Sequence, residues 1–233
     1  MKKILKAFFL GIGAGAAISI GGYFFMLCKA YIPTYGQYIG ALCFPIGLLI
    51  VCYCSFYLYT GKIGFILHAE DKKQSIIDLI VMLIGNVVGA FLCGMILHYA
   101  YANDQVMVDT LASLTKAKTA DLIGPVWFSA GCWVMLKGIG CGAFVYLAVF
   151  CYKTFKHHIL KILGIFISIF AFVALGLEHC IANAFYVSFN FDFTNGGIYL
   201  NFLYALIGNS LGALALDRIF EFVKWTFRKQ QKN

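Results

Sequence analysis

Phe172–Val187 reads FVALGLEHCIANAFYV. A carboxylate and an imidazole, Glu178 and His179, stand side by side in a run that is otherwise apolar enough for hydrocarbon. Ionisable residues within a membrane segment are costly and mark pathways for ions or protons. A helix broken around them would leave backbone groups that lipid cannot pair, so the break must face protein or a water-filled lumen.

Outside this stretch the composition points to a membrane. Of 233 residues, 62% are hydrophobic and 12% charged, against about half and about a quarter in soluble domains. The net charge of +8 is spread between apolar segments. It forms no basic patch with interleaved aromatics, so nucleic acid is not an expected partner. The nine cysteines lie mostly singly in apolar runs, without CxxC or Cys/His ligand spacing, and read as small hydrophobes. No cofactor is expected. The opening MKKILKAFFLGIGAGA has the lysines and small residues of a signal peptide, but its apolar run continues through AISIGGYFFMLC and is long enough to span, so an uncleaved first helix is expected.

Apolar stretches at residues 7–28, 38–59, 75–101, 125–152, 159–187 and 198–223 each suffice to cross a hydrocarbon core of about 30 Å as a helix. Barrel alternation is absent, so an all-α membrane protein with six transmembrane helices is predicted. It forms one domain, 1–233. Lysine and arginine number 13 in the two termini and the turns around Lys72, Lys73, Lys153, Lys156 and Lys161; the opposite loops hold only Lys29, Lys116 and Lys118. Both termini are therefore expected on the cytoplasmic side of the cytoplasmic membrane. Lys62 and Lys137 fit neither group. His157 and His158 read as part of a solvated basic turn, His68 and His98 carry no motif, and Trp225 and Tyr101 read as interfacial aromatics.

GNVVGA (Gly85–Ala90) is echoed by GNSLGA (Gly208–Ala213), three crossings later. An inverted repeat with halves of about 1–103 and 122–233 would place a transport site near the midplane, although small residues four apart are also a common packing face. The second span carries an interruption of its own, Thr-Gly-Lys within YLYTGKIGF (Tyr57–Phe65), at the place corresponding to Glu178-His179 in the fifth. Broken helices at matching positions are a pointer to a substrate path.

With KAFFLGIGAGAAISIGG, FPIGLLIV, LYTG, GNVVGA, GIGCGAFVYLAVF, FVALGLEHCIANAFYV and NFLYALIGNSLGA, the chain resembles the formate/nitrite transporter family nearly end to end. The most specific element is the Glu-His-x-Ile-Ala-Asn-x-Phe core, Glu178 to Phe185, with Asn183 in it. The resemblance implies an aquaporin-like six-helix fold with broken second and fifth helices, assembled as a homopentamer that passes small monovalent anions or their conjugate acids. It implies that His179 is the central pore histidine and that Thr60 faces it. Leu58, Tyr59 and Phe172 would form apolar constrictions, with Tyr59 where the family usually has phenylalanine. Val145 and Asn209 match further pore-lining positions, and Asn201 a position in the sixth helix. Gly142 departs from the family's Cys-Asn, which would remove an amide from the pore wall and widen it. Lys137 stands where many members have arginine, and reads either as an inter-subunit partner or as a vestibule charge.

Drawing an anion through a dry constriction costs at least several kcal/mol. A weak acid escapes that cost by taking one proton, and histidine is the usual side chain for handling protons near neutral pH. The expected mechanism has Lys116 and Lys118 outside and Lys6 inside attracting the anion, Thr60 orienting it, and protonation at or near His179, with His179 itself or water polarised by it as the donor. Glu178 is expected to brace the break by accepting backbone hydrogen bonds. The runner-up is a neutral-solute pore of aquaporin type, against which stands the lack of any Asn-Pro among Pro33, Pro45 and Pro125. A membrane enzyme built on Glu178 and His179 lacks an accompanying GxSxG or HExxH motif.

Overall fold

The structure, a computed structural model, describes residues 2–191 and 193–230, without the side chains of 228–230. Lys232 and the side chains of Arg228 and Lys229, counted in the C-terminal charge cluster, lie outside the described residues. The chain is helical: α1 (Lys2–Tyr31), α2 (Gly36–Cys43), α3 (Pro45–Tyr53), α4 (Tyr59–Lys62), α5 (Lys72–Ala100), α6 (Gln105–Thr119), α7 (Trp127–Thr154), α8 (His158–Ala174), α9 (Cys180–Asn190) and α10 (Gly197–Gln230). Five runs are long and apolar enough to cross a membrane: α1, α2 with α3, α5, α7 and α10. α2 and α3 form one bent run because Pro45 has no N–H to give, while Phe44 keeps right-handed helical angles. Outward-facing Ile80, Ile96, Ile159, Ile167 and Phe222 are well exposed, as suits a lipid-facing surface.

Two helix pairs make the most extensive contacts, α1 with α5 and α7 with α10. Both rely on glycine for close approach. A methyl placed on Gly85 would lie 3.1 Å from the Gly11 Cα, and one on Gly208 would lie 2.9 Å from the Gly138 Cα. The GNVVGA and GNSLGA segments are thus the packing faces of α5 and α10.

Helix α3 stops at Tyr53 and α8 at Ala174, and the two stops are built alike. Ser55 (φ 56°) and Gly176 (φ 63°) adopt the left-handed conformation. After the first, the Phe56 N–H reaches Val51 O at 2.9 Å and the Ser55 N–H reaches Cys52 O at 3.3 Å. After the second, Leu177 bonds Phe172 O at 3.1 Å and Gly176 bonds Val173 O at 3.0 Å. This paired closure satisfies carbonyls that a helix end leaves open. The sequence reading had put the first interruption at Thr-Gly-Lys. That is corrected: the gap is Cys54–Leu58, and Thr60 to Lys62 lie within α4. A glycine next to polar residues mimics a breaker, whereas the left-handed turn here is made by a serine.

Apolar run length also gave no hint of α6. Its buried face is Met107, Leu111, Thr115 and Thr119, spaced at helical intervals in a largely polar segment, with the Asp104 carboxylate accepting from the Met107 N–H at 3.1 Å as its cap. Past α4, residues Ile63–His68 form a tight 3-10 turn. His68, which carried no motif, fastens that turn to α10 through Asp217 Oδ1 at 2.7 Å, where Tyr146 also donates at 2.8 Å.

The two stops make a testable pair. Replacing Ser55 with glycine relieves left-handed strain and should raise stability by about 0.5–1 kcal/mol, whereas Gly176→Ala should lower it by about 1 kcal/mol. Thermal unfolding of the detergent-solubilised protein measures both; no shift at either site, or shifts of the same sign, would contradict the matched geometry.

Candidate functional site

Each chain break is held by one buried asparagine. Asn209 of α10 donates from Nδ2 to Gly138 O (2.9 Å) and Glu178 O (2.7 Å), while its Oδ1 accepts from the Cys180 N–H at 3.0 Å. Asn86 of α5 donates to Gly11 O (2.9 Å) and Tyr57 O (2.8 Å) and accepts from the Tyr59 N–H at 2.8 Å. Each amide therefore grips the residues before and after a single position, His179 in one break and Leu58 in the other. Asn209, expected to line the pore, places its amide on backbone groups of the break and of α7. Asn86 was missed as a site residue. Its place in GNVVGA, level with Asn209 in GNSLGA, was the available signal.

The two gripped side chains meet across a chamber of about 10 Å³, whose wall also includes Val145, Phe172, Ile18 and Phe44. That is room for about one water-sized body. His179 is buried, its ring stacked on Phe172 at a centroid distance of 5.9 Å. Its Nδ1 accepts the Ala182 N–H at 3.2 Å, capping α9, and its Nε2 lies 3.0 Å from Thr60 Oγ1. A nitrogen that accepts carries no proton, so these partners assign the neutral tautomer protonated at Nε2, donating to Thr60. Thr60 is fully buried against the histidine. Leu58, Val145, Phe172, Thr60 and His179 are thus brought together.

Tyr59 is not with them. Its hydroxyl shares a 2.9 Å hydrogen bond with Ser210 Oγ and it packs among Ile63, Met82 and Ala213. Helical geometry explains this: the residue after Leu58 is already in α4 and turns away from the chamber. A methyl on Gly142 would sit 2.7 Å from the Asn209 Cα, so the position faces the α10 backbone and sets helix approach.

On the side of α6 the chamber meets a cavity of about 230 Å³ lined by Lys29, Gln37, Lys118, Lys137, Glu178 and Phe172. Lys118 Nζ pairs with Glu178 Oε2 at 2.7 Å, and Asn183 Nδ2 donates to the same oxygen at 2.6 Å. Asn183 also donates to Asn201 Oδ1 at 2.8 Å, and Asn201 returns to Lys118 O at 3.2 Å. Glu178 thus braces the break, but with side-chain partners and not the expected backbone N–H groups; the backbone contact comes from its own carbonyl. Lys118 is tied to that carboxylate, so it does not act as a free surface charge. Lys116 is exposed on α6 and outside this wall, whereas Lys137, and Lys29, which the sequence reading left in a loop count, are part of it.

On the opposite side, Leu58 and Leu48 separate the chamber from a cavity of about 210 Å³ lined also by Ser55, Lys62, Val149 and Lys153. Lys6 is exposed and not in that wall.

A family model described as "Formate/nitrite transporter" matches residues 1–223. A probable formate transporter of Methanothermobacter thermautotrophicus is 32% identical over 203 residues, covering 78% of this chain and 73% of the relative. The uncharacterized transporter YrhG of Bacillus subtilis is 30% identical over 228 residues, covering 93% and 84%. A solved pentameric formate channel with formate bound superposes with a TM-score of 0.83 at 22% identity, covering 97% of this chain and 98% of that one.

Because Asn86 and Asn209 make the same three bonds, alanine at either should cost a similar amount, about 2–4 kcal/mol from buried groups left unpaired. Unfolding midpoints of the two variants check this, and a difference of more than about 2 kcal/mol between them would show that the two breaks are not held alike.

Proposed function

Given that the chain belongs to the formate/nitrite transporter family, whose members are transporters and channels and not enzymes, we propose that it is a membrane channel for small monovalent anions of weak acids, formate, nitrite or hydrosulfide, which cross the narrowest part in protonated form. The observation that carries this reading is the small chamber at His179, apolar on nearly every side, set between two lysine-lined cavities. Lysines raise the local concentration of anions at each mouth. The chamber then disfavours any ion that keeps its charge, because the cost of drying it is several kcal/mol. A weak acid passes by taking up one proton.

His179 acts in its neutral form. An imidazolium needs two acceptors, yet its Nδ1 faces the Ala182 N–H; protonation would turn that cap bond into a clash of two donors. The proton therefore comes with the substrate from the vestibule water, and His179 with Thr60 supplies a hydrogen-bonding pair that steadies the permeant at the dry midpoint. The Lys118–Glu178–Asn183–Asn201 network keeps the break rigid while leaving Lys29 and Lys137 to face the entrance.

On this reading α2 to α4 count as one interrupted crossing and α8 with α9 as another, which makes six crossings in two inverted halves, about 1–103 and 122–233. The shared Schellman turns and asparagine grips support that arrangement. Both termini lie on the cytoplasmic face, and the molecule is a homopentamer like the solved channel it superposes on. The neutral-solute pore draws support from a chamber close to one water in size, but gives the lysines at both mouths nothing to do.

Flux into proteoliposomes separates the two. Formate, nitrite or hydrosulfide uptake should rise as pH falls from about 8 to about 5, tracking the rising share of neutral acid rather than a histidine titration, and glycerol should be excluded. Glycerol flux equal to that of the anions, with no pH dependence, would favour the neutral pore. Thr60→Val removes the partner of His179 Nε2 and should lower anion flux about tenfold, the equivalent of one lost hydrogen bond of about 1.4 kcal/mol.

A further inference from the structure

We infer that Lys62 and Lys153 form an anion-docking site at the mouth opposite α6, the place where the permeant first binds when it enters from that side. The inference rests on the channel reading above and names the residues that serve its second entrance.

Both lysines line the 210 Å³ cavity that ends at Leu58, and both also line an adjoining cavity of about 240 Å³. Each ammonium lies against an aromatic face: Lys62 Nζ is 3.2 Å from the Tyr57 ring centroid and Lys153 Nζ 3.6 Å from that of Phe65. Such faces hold a cation in place without neutralising it, and the aliphatic stems lie along apolar wall. Neither lysine is ion-paired among the described residues. The one carboxylate in the adjoining wall, Asp78, accepts a hydrogen bond from Gln74 Nε2 at 2.8 Å. Asp78 acts on Lys62 from that wall, but Lys62, Lys153 and the nearby exposed Lys6 outnumber it, so the cations repel one another unless an anion joins them.

The arrangement is unlike that at the α6 mouth. There Lys118 is spent on Glu178; here neither cation is committed. An acidic oxyanion or hydrosulfide seated between Lys62 and Lys153 would stand one side chain, Leu58, away from the chamber.

The test uses the full-length protein in right-side-out and everted membrane vesicles, with sidedness set by protease access to a C-terminal tag and formate as the probe. Lys62→Met and Lys153→Met should each raise the half-saturating formate concentration measured from the face that carries the termini by about threefold, and the double variant by about tenfold. The shift should shrink in about 0.5 M inert salt, and Lys→Arg at both positions should restore the original value. Half-saturation from the opposite face should stay as it was, which also shows that the variants are folded. An unchanged value from the terminal face, or an equal shift from both faces, would overturn the docking site while leaving the channel reading intact. If the unaltered protein moves no small anion from either face, the channel reading fails and takes the site with it.

Discussion

A helix that stops inside a membrane leaves carbonyl and amide groups that lipid cannot hydrogen-bond, and every functional feature of this protein depends on how that debt is met. Two carboxamides meet it. Asn86 and Asn209, each buried in a glycine-lined helix face, bond to the residue on either side of a single position in the facing break. Their third bonds, to Gly11 O and Gly138 O, tie each break to the neighbouring long helix. Because an amide carries both a donor and an acceptor in fixed geometry, one side chain can satisfy a carbonyl and an N–H that lie two residues apart. A carboxylate at either position has no donor, and a hydroxyl has only one where the amide supplies the two that these bonds use.

What the grips hold in common makes their difference informative. Leu58 and His179 occupy matching places, bracketed by the same bonds, and both reach the same chamber. One is inert. The other caps α9 with one nitrogen and meets Thr60 with its second. A single polar pair is therefore set into an apolar wall by a backbone frame that does not itself require polarity there. On the proposed function the narrowness of the chamber makes this matter, since a permeant stripped of water would have few other partners to replace the hydrogen bonds it leaves behind.

Close helix approach is the second condition. An asparagine amide reaches across to a facing backbone only if the helices nearly touch, and the glycines of α1, α5, α7 and α10 permit that. Gly142 belongs to this role. Packed against the backbone of Asn209, it sets the distance at which that residue bonds the groups on either side of His179.

The amino-acid sequence by itself determined the membrane setting, the helical class and the echo of GNVVGA and GNSLGA, because long apolar runs have few foldable outcomes; His179, Thr60, Leu58, Phe172 and Val145 were named together only through the family resemblance that its motifs carry. It also singled out Glu178, Asn183 and Asn201, though not the bonds that join them. Only the tertiary structure decided direction. Tyr59 turns toward Ser210, Asn209 toward backbone, Lys118 onto Glu178, and Lys62 with Lys153 into one cavity. A chain listing states which groups are present, but whether a lysine is a free charge or half of an ion pair depends on atoms 60 or more residues away, brought near by helix packing that no local pattern encodes. The amphipathic α6, which supplies Lys118, was hidden for the same reason: its polar face has no membrane-length signature, and its value lies wholly in what it packs against.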